Sequence, residues 1–212
     1  MQKDELKSKC DEFGIALPDS FESKIAEYVE LIKSQNYTAG LLAPAEIKNI
    51  YERHILDSLS ILLFRRIDND EKILDFGSGG GLPGIVLSLA RPDAKFILAE
   101  SLLKKASFLE SVISLLNIHN ASVFSDRAEK LGEKFDLITI RATGPLTRTI
   151  SQSIKLLKPD GEIALWTTGK FLDKFDYWKK FCQKRNAVIQ FEPYPKNWIP
   201  EHNFAMAFIE LA

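Results

Sequence analysis

The sequence predicts an α/β protein with a mainly parallel sheet of seven strands, the last of them reversed, preceded by a helical segment. After Asp70, short apolar runs alternate with longer amphipathic stretches, which is typical of strands and helices around a parallel sheet. The last two runs are joined by the proline-rich segment 193–200. This segment is too short for a crossover helix and favours an antiparallel hairpin.

The N-terminal region shows a helical pattern. Apolar residues recur at a spacing near that of an α-helix from Phe21 to Ile32, and again from Ile55 to Leu63. No alternating strand pattern competes with it. We therefore expect a helical N-terminal extension at 1–70 and an α/β domain at 71–212 that together form one compact unit.

The α/β region yields individual elements. Pro83 and Pro145 suit the first turn of a helix, and Ser101 is expected to cap a helix over 102–116. The predicted strands are Lys72–Phe76, Lys95–Glu100, Ser122–Ser125, Phe135–Ile140, Glu162–Thr167, Val188–Phe191 and Ala205–Leu211.

Composition narrows the class of protein. A hydrophobic fraction of 45% is enough for a sizeable core, and 28 basic against 29 acidic residues exclude a histone-like binder. Residues 141–185 nevertheless carry 10 basic and 4 acidic residues, so a polyanion is expected to approach there.

Cys10 and Cys182 are too few for a disulfide framework or a metal cluster. With no apolar run long enough to cross a bilayer and no signal core, we expect a cytoplasmic protein.

A glycine-rich loop follows the first predicted strand. Five of the eight residues from Gly77 to Gly84 are glycine, which permits positive φ angles and close approach of a ligand to the backbone. The next helix offers free N–H groups at its N-terminus. Residues 79–84 also satisfy the pattern GxGxxG, so the loop alone leaves a nicotinamide cofactor and S-adenosylmethionine both open.

Two acidic residues at strand ends bear on this choice. The Asp75 carboxylate would repel a pyrophosphate but attract the cationic amino group and sulfonium of S-adenosylmethionine, whereas Glu100 can accept hydrogen bonds from the ribose of either cofactor. Alternatively, the glycines only permit a turn, Asp75 caps the next helix, and Glu100 is a solvated strand end. Their placement at neighbouring strand ends favours a ligand site. With the reversed last strand, the chain resembles the class I S-adenosylmethionine-dependent methyltransferase fold, which is Rossmann-like.

The residues after the fourth strand restrict the class of methyl acceptor. Enzymes that methylate the amino groups of adenine or cytosine carry an Asn/Asp-Pro-Pro-aromatic motif there, but this chain reads Arg141-Ala142-Thr143-Gly144. Carbon-5 methylation needs a cysteine nucleophile, and Cys182 is interpreted as a packing thiol. Guanine N7 has a free lone pair, so its methylation needs positioning rather than a base. Arg141 is predicted to hold the guanine O6, the alternative being a structural ion pair.

Several motifs together resemble those of the bacterial small-subunit ribosomal RNA guanine-N7 methyltransferases, also called glucose-inhibited division protein B. The resemblance covers about residues 36–165. The motifs are Arg53-His54-Ile55-Leu56-Asp57-Ser58, Asp75 to Gly84 with its Leu-Pro-Gly ending, Glu100-Ser101 with Lys104-Lys105, Arg127-Ala128-Glu129, Phe135-Asp136 and Arg141-Ala142.

The resemblance implies S-adenosylmethionine as cofactor and a guanine of 16S ribosomal RNA, in the small ribosomal subunit, as acceptor. We further expect a monomer that binds neither a metal nor a membrane. Arg141 is the implied catalytic residue, and the substrate-binding residues are His54, Asp57, Lys104, Lys105 and Lys170. By its chemistry alone, His54 is interpreted as a packing histidine. Implied cofactor contacts are Asp75, Gly77, Ser78, Gly79, Gly81, Leu82, Pro83, Glu100, Ser101, Ala128, Glu129 and Arg141.

Some positions depart from the family pattern on the acceptor side. Leu31-Ile32 stands where the family has Trp-Asn, Thr167-Thr168 where it has Lys-Gly, and His202-Asn203 where it has an arginine. Two other functions therefore remain open: methylation of a small molecule or a protein, and a catalytically silent cofactor-binding module in ribosome assembly. The basic residues of 141–185 are expected to hold RNA phosphates, the alternative being solvated helix faces.

Overall fold

The computed structural model describes residues 3–141, 144–199 and 204–212. Its centre is a seven-stranded sheet in the order β3-β2-β1-β4-β5-β7-β6. Strands β1 to β5 pair in parallel, and β7 is antiparallel to both β5 and β6, as predicted. The strands are β1 (Lys72–Phe76), β2 (Lys95–Ala99), β3 (Ala121–Phe124), β4 (Phe135–Ile140), β5 (Leu157–Thr168), β6 (Ala187–Pro193) and β7 (Phe204–Leu211).

Helices precede the sheet and connect its strands. Pro83 and Pro145 stand directly before two of them, at the N-cap position. The α-helices are α1 (Lys3–Glu12), α2 (Phe21–Ala39), α3 (Pro44–Ile47), α4 (Asp57–Leu59), α5 (Gly84–Ala90), α6 (Leu103–Leu115), α7 (Leu146–Ile154), α8 (Gly169–Leu172) and α9 (Phe175–Gln183). Short 3-10 helices span Ser60–Leu63 and Ala128–Lys130.

The helical N-terminal region shares a core with the α/β region. Helix α2 buries Phe21, Ile25 and Ile32 among side chains of α5 and α6 such as Val86 and Leu109. Burial of such side chains stabilises the fold by roughly 2 kcal/mol each. The two regions therefore pack as neighbours across a continuous apolar surface, while the boundary at residue 70 stays a prediction.

The segment carrying Arg53-His54 is a π-helix (Tyr51–Leu56), not the regular helix that the apolar spacing predicts. A π-turn widens the helix and changes the direction of its carbonyl groups, and such turns are frequent at functional sites. Here the carbonyl oxygens of Arg53 and His54 both accept hydrogen bonds from Arg141, at 2.8 and 3.3 Å. Contacts from outside the helix thus accompany the irregular turn.

Two acidic side chains face each other away from the carboxyl ends of the strands. Glu162 on β5 lies opposite Glu210 on β7, and Arg65 Nε is 2.9 Å from Glu162 Oε2. Burial raises the pKa of Glu162 to about 7, Glu210 acts in the same direction, and Arg65 opposes them. Because the pKa is raised on folding, the stabilisation is full below the unfolded value and is lost as the pH rises towards 7.

Glu162→Gln should therefore remove a pH-dependent part of the stability. We expect the variant to gain melting temperature relative to the parent at about pH 8, and to match it at about pH 5, where the parent carboxyl is protonated. Thermal unfolding at both pH values measures this. Glu192→Gln, on the exposed part of β6, is the control and should shift neither curve. An equal effect of Glu162→Gln at both pH values would contradict the expected pH dependence.

None of the helices described in residues 3–141, 144–199 and 204–212 is long and apolar enough to cross a membrane. Both cysteines, Cys10 and Cys182, are free and buried. Burial raises the pKa of the Cys10 thiol to about 12 and that of Cys182 to about 11, so both are neutral packing groups.

Candidate functional site

The glycine loop turns sharply between β1 and α5. Gly77 and Gly79 adopt φ angles of 76° and 56°, which favour glycine. The N–H groups of Gly77 and Ser78 both donate to the carbonyl oxygen of Ala99, at 3.0 Å each. The loop is therefore fastened to the end of β2 and lies at the carboxyl edge of the sheet.

Asp75 holds this loop from beneath. Its side chain is 1% exposed, its Oδ2 accepts from the Gly84 N–H at 3.1 Å, and its Oδ1 accepts from Thr139 Oγ1 at 2.8 Å. Burial raises its pKa to about 6, against the effect of these hydrogen bonds. In this geometry both oxygens hold groups of the protein, and the direct contact with a cationic cofactor group stays a prediction. Asp75 caps α5, the alternative that the sequence left open.

Glu100 joins the loop to the next helix. Its Oε2 accepts from the Gly79 N–H at 3.0 Å and its Oε1 from the Leu102 N–H at 2.7 Å. The predicted cap of this helix, Ser101, is wrong: Leu102 occupies the N-cap position, and Glu100 supplies the oxygen. A carboxylate has about four acceptor positions, so Glu100 retains capacity for ribose hydroxyls.

Helix α2 also supports the loop, through residues that sequence reasoning missed. The Tyr28 hydroxyl donates to the Gly80 carbonyl oxygen at 2.5 Å. A Cβ atom on Gly81, which has a φ of +94°, would lie 2.9 Å from that hydroxyl oxygen. In the sequence, Tyr28 falls on the apolar face of α2 and resembles a core residue. Its only distinguishing signal is the polar atom of a side chain predicted to be buried.

A first cavity, the loop cavity, opens above the glycine loop and measures about 630 Å³. Such a volume is ordinary for a small-molecule site. Its walls come from the N-terminal region as well as from the sheet. Its lining includes Gly40, Leu41, Leu42, Ala43, Glu46, His54, Gly77, Ser78, Gly79, Gly80, Leu82, Glu100, Lys105 and Arg141.

A second cavity, the outer cavity, adjoins the first at Gly77 and Glu100 and measures about 310 Å³. It lies over the ends of β2 and β3. Its lining includes Ser101, Ala128 and Glu129, three of the residues implied by the family motifs. The outer and loop cavities together form an extended site along the carboxyl edge.

A third cavity, the aromatic cavity, measures about 600 Å³ and meets the loop cavity at Glu46, His54 and Arg141. The sequence does not predict this pocket. Thr167 and Thr168, two of the departures from the family pattern, lie in its wall. Its aromatic residues are Trp166, Phe171, Trp178 and Phe204, and its basic residues are Arg53, Arg141, Lys170 and Lys174.

Arg141 is fixed at the wall between these two cavities. Besides the two carbonyl oxygens of the π-helix, its guanidinium contacts Ser58 Oγ at 3.2 Å, His54 Nδ1 at 2.8 Å and Asp57 Oδ2 at 3.2 Å. Asp57 Oδ1 in turn accepts from the Tyr194 hydroxyl at 2.9 Å. Both terminal nitrogens of Arg141 are thus engaged within the protein. These contacts position the helix that carries His54, and the predicted contact of Arg141 with a guanine stays a prediction.

The structure brings together most of the predicted site residues, but not all. Gly77, Ser78, Gly79, Leu82, Lys105 and Glu100 line the loop cavity, while Asp57 and Lys170 line the aromatic cavity. Asp75, Gly81 and Pro83 lie in or beneath the loop without lining these cavities. Lys104 lies in a separate groove between α2 and α6. Leu31 packs against the core, and Asn203 lies outside the described residues.

In the part of the chain that the structure describes, no cluster of three metal-ligating side chains is present. None of the described cysteines lines the three cavities. The site therefore offers hydrogen-bond donors, aromatic rings and positive charge. It offers neither a thiol nucleophile nor a metal centre among these residues.

A solved structure supports the fold. The chain is similar to the structure described as M. jannaschii TYW2 in complex with AdoMet, with a TM-score of 0.58 and 15% identity over 81% of this chain and 78% of that one. At this identity the likeness concerns the fold. It confirms the predicted class I methyltransferase architecture.

Two curated relatives carry the same name. "Ribosomal RNA small subunit methyltransferase G" of Sorangium cellulosum is 37% identical over 72% of this chain and 66% of its own length. The protein of that name from Chlorobium phaeobacteroides is 38% identical over 75% of this chain and 72% of its own length. The model of the GidB family, described as rRNA small subunit methyltransferase G, matches residues 21–194. With most of its length matched, and with the motifs gathered around one edge of the sheet, the chain belongs to the rRNA small subunit methyltransferase G family.

Proposed function

We propose that the protein transfers a methyl group from S-adenosylmethionine to N7 of a guanine in 16S ribosomal RNA. The main observation that supports this function is that the loop cavity and the aromatic cavity share one wall, formed by Glu46, His54 and Arg141. A cofactor in the first cavity and a base in the second would meet there. The names of the relatives support ribosomal RNA of the small subunit as the substrate.

The residues present fit S-adenosylmethionine, which supplies an electrophilic methyl group when bound. Glu100 is buried at the junction of two cavities and can accept from ribose hydroxyls. Ala128 and Glu129 would flank the adenine in the outer cavity. Gly77 and Gly79 leave room for the methionyl part, and Lys105 offers a positive charge for its carboxylate.

The aromatic cavity fits an extruded nucleobase. Phe171 and Trp178 are stacked with ring centroids 4.5 Å apart, and both are largely buried. Recognition of single-stranded RNA commonly relies on stacking on such rings. Arg53, Lys170 and Lys174 are exposed at this cavity, where they can pair with phosphates.

The chemistry of guanine N7 suits this site. The N7 lone pair attacks without loss of a proton, so no general base is required. Carbon-5 methylation would need a cysteine nucleophile, which the described cavity walls lack. As part of the proposal, the protein works as a monomer in the cytoplasm, where its two free cysteines would remain reduced.

The test is methylation of small ribosomal subunits that lack the modification. The protein is incubated with labelled S-adenosylmethionine and these subunits, or with their naked RNA, and the digested RNA is analysed by mass spectrometry. We expect one labelled 7-methylguanosine. A labelled product at another atom would change the acceptor, and cofactor binding without RNA label would favour an assembly module.

Reversal of cavity charges tests the RNA surface. Lys170→Glu and Lys174→Glu should each weaken RNA binding and reduce by about one the slope of the logarithm of the binding constant against the logarithm of salt concentration, because each removes a phosphate contact. Lys95→Glu is the matched control, since Lys95 begins β2 at the opposite edge of the sheet and pairs with Asp70. Filter binding at several salt concentrations measures the slopes. An equal loss in the Lys95 variant would indicate a non-specific charge effect.

A further inference from the structure

Arg141 fixes the protonation pattern of the His54 ring. Its terminal nitrogen lies 2.8 Å from His54 Nδ1. A guanidinium is always a donor, so Nδ1 must be the acceptor of this hydrogen bond. In the neutral ring the proton therefore resides on Nε2. The ion pair of Arg141 with Asp57, at 3.2 Å, keeps the guanidinium in this orientation.

The Nε2–H group of His54 is a buried donor without a hydrogen-bond partner among the described residues. The His54 residue is 6% exposed, and Glu46 Oε1 lies 3.9 Å from Nε2, beyond hydrogen-bond distance. An unpaired buried donor costs about 1–3 kcal/mol. Because His54 lines both the loop cavity and the aromatic cavity, a ligand in that space can supply the missing acceptor.

The surroundings of His54 also keep its ring neutral. Burial lowers its pKa to about 4, Arg141 and Arg53 act in the same direction, and Glu46 opposes them. A neutral ring does not repel the positive sulfonium or the positive charge that N7 acquires during transfer. It therefore provides a donor at the site of transfer without adding a charge.

We propose that the His54 Nε2–H donates a hydrogen bond to O6 of the target guanine and excludes adenine. Guanine presents O6 as an acceptor beside N7, whereas adenine presents an amino donor at that position. The Nε2–H donor, held in place by Arg141, pairs with O6 of guanine and is repelled by the amino group of adenine. The inference rests on the proposed function, and it gives His54 the role of a specificity determinant, not of a base.

Two His54 variants separate the donor from the ring. His54→Phe keeps a planar ring without a donor, and we expect a 10- to 100-fold loss, roughly, in kcat/KM on the guanine substrate, with cofactor affinity unchanged. His54→Gln places an amide N–H near the Nε2 position and should recover part of this loss. His119→Phe, at an exposed position after α6, is the matched control and should change neither kcat/KM nor cofactor affinity.

Substituted RNA identifies the atom that accepts the hydrogen bond. The guanine located by mass spectrometry is replaced by 2-aminopurine, which keeps N7 and the 2-amino group but has no 6-substituent. The parent protein should methylate this RNA more slowly than the guanine RNA, and His54→Phe should show little or no difference between the two. Adenine at the same position should be rejected by the parent protein and less strongly rejected by His54→Phe.

The outcomes separate the inference from the proposed function. Loss of cofactor affinity in His54→Phe, with unchanged discrimination between the two RNAs, would assign the donor to the cofactor and overturn the inference. So would full activity of this variant. Absence of 7-methylguanosine with the parent protein would instead overturn the proposed function itself.

Discussion

Asp75→Ala is expected to abolish cofactor binding and to lower the free energy of unfolding by about 3 kcal/mol. The substitution removes the acceptor of the Gly84 N–H, at 3.1 Å, and the nearer of the two acceptors of the Thr139 hydroxyl, at 2.8 Å. The glycine loop loses its support at the start of α5. Calorimetric titration with S-adenosylmethionine and denaturant unfolding measure the two effects.

Asp75→Asn is the matched variant that separates shape from charge. Its amide oxygen can still accept from the Gly84 N–H, and its amide nitrogen can donate to Thr139 Oγ1. We expect nearly normal cofactor affinity, because the geometry assigns Asp75 to holding the loop. A folded Asp75→Asn protein that cannot bind the cofactor would contradict this and would restore the electrostatic attraction expected from the sequence.

Arg141→Ala is expected to lower methyl transfer by roughly 100-fold or more while sparing cofactor affinity, because the π-helix loses the group that aligns it. It also removes the ion pair of Arg141 with the Asp57 carboxylate, whose side chain is 8% exposed, at a cost of about 3–5 kcal/mol. Single-turnover kinetics and unfolding measure these effects. Arg66→Ala, at an exposed ion pair with Asp68, is the control.

A double substitution tests whether Arg141 acts through position or only through stability. Arg141→Met combined with Asp57→Asn removes both charges and should recover much of the lost stability. Transfer should stay low, because His54 Nδ1 still lacks its donor. Recovery of transfer together with stability would show that Arg141 is a structural residue alone.

The strand pattern could be predicted from local sequence because apolar runs and their turn signals are local. β1 and β4 have the predicted bounds, while β5 begins at Leu157 and not at Glu162. The residues from Leu157 to Gly161 contain a proline and a glycine, which hide a strand from any propensity argument. Beside these residues, the pairing of β4 with β5 also shifts register, between Phe135 and Leu137.

The partners of the site residues could not be predicted in the same way. Arg141 is recognisable as a strand-end residue, but its contacts with Arg53 and His54 join positions far apart in the sequence. The local amino-acid composition does not predict a π-turn. The sequence places Asp75 correctly at the loop but does not distinguish a helix cap from a contact with a cation, since one carboxylate in that position suits both.

The hydrogen bond from Tyr28 to the carbonyl oxygen of Gly80 has a consequence for the dynamics of the molecule. A local opening of α2 would release the glycine loop, and a loop held in its binding conformation would in turn protect α2 from opening. By reciprocity, cofactor occupancy and the solvent exchange of amide protons in α2 are coupled. The N-terminal helices are thus part of the energetics of ligand capture, even where they never touch the ligand.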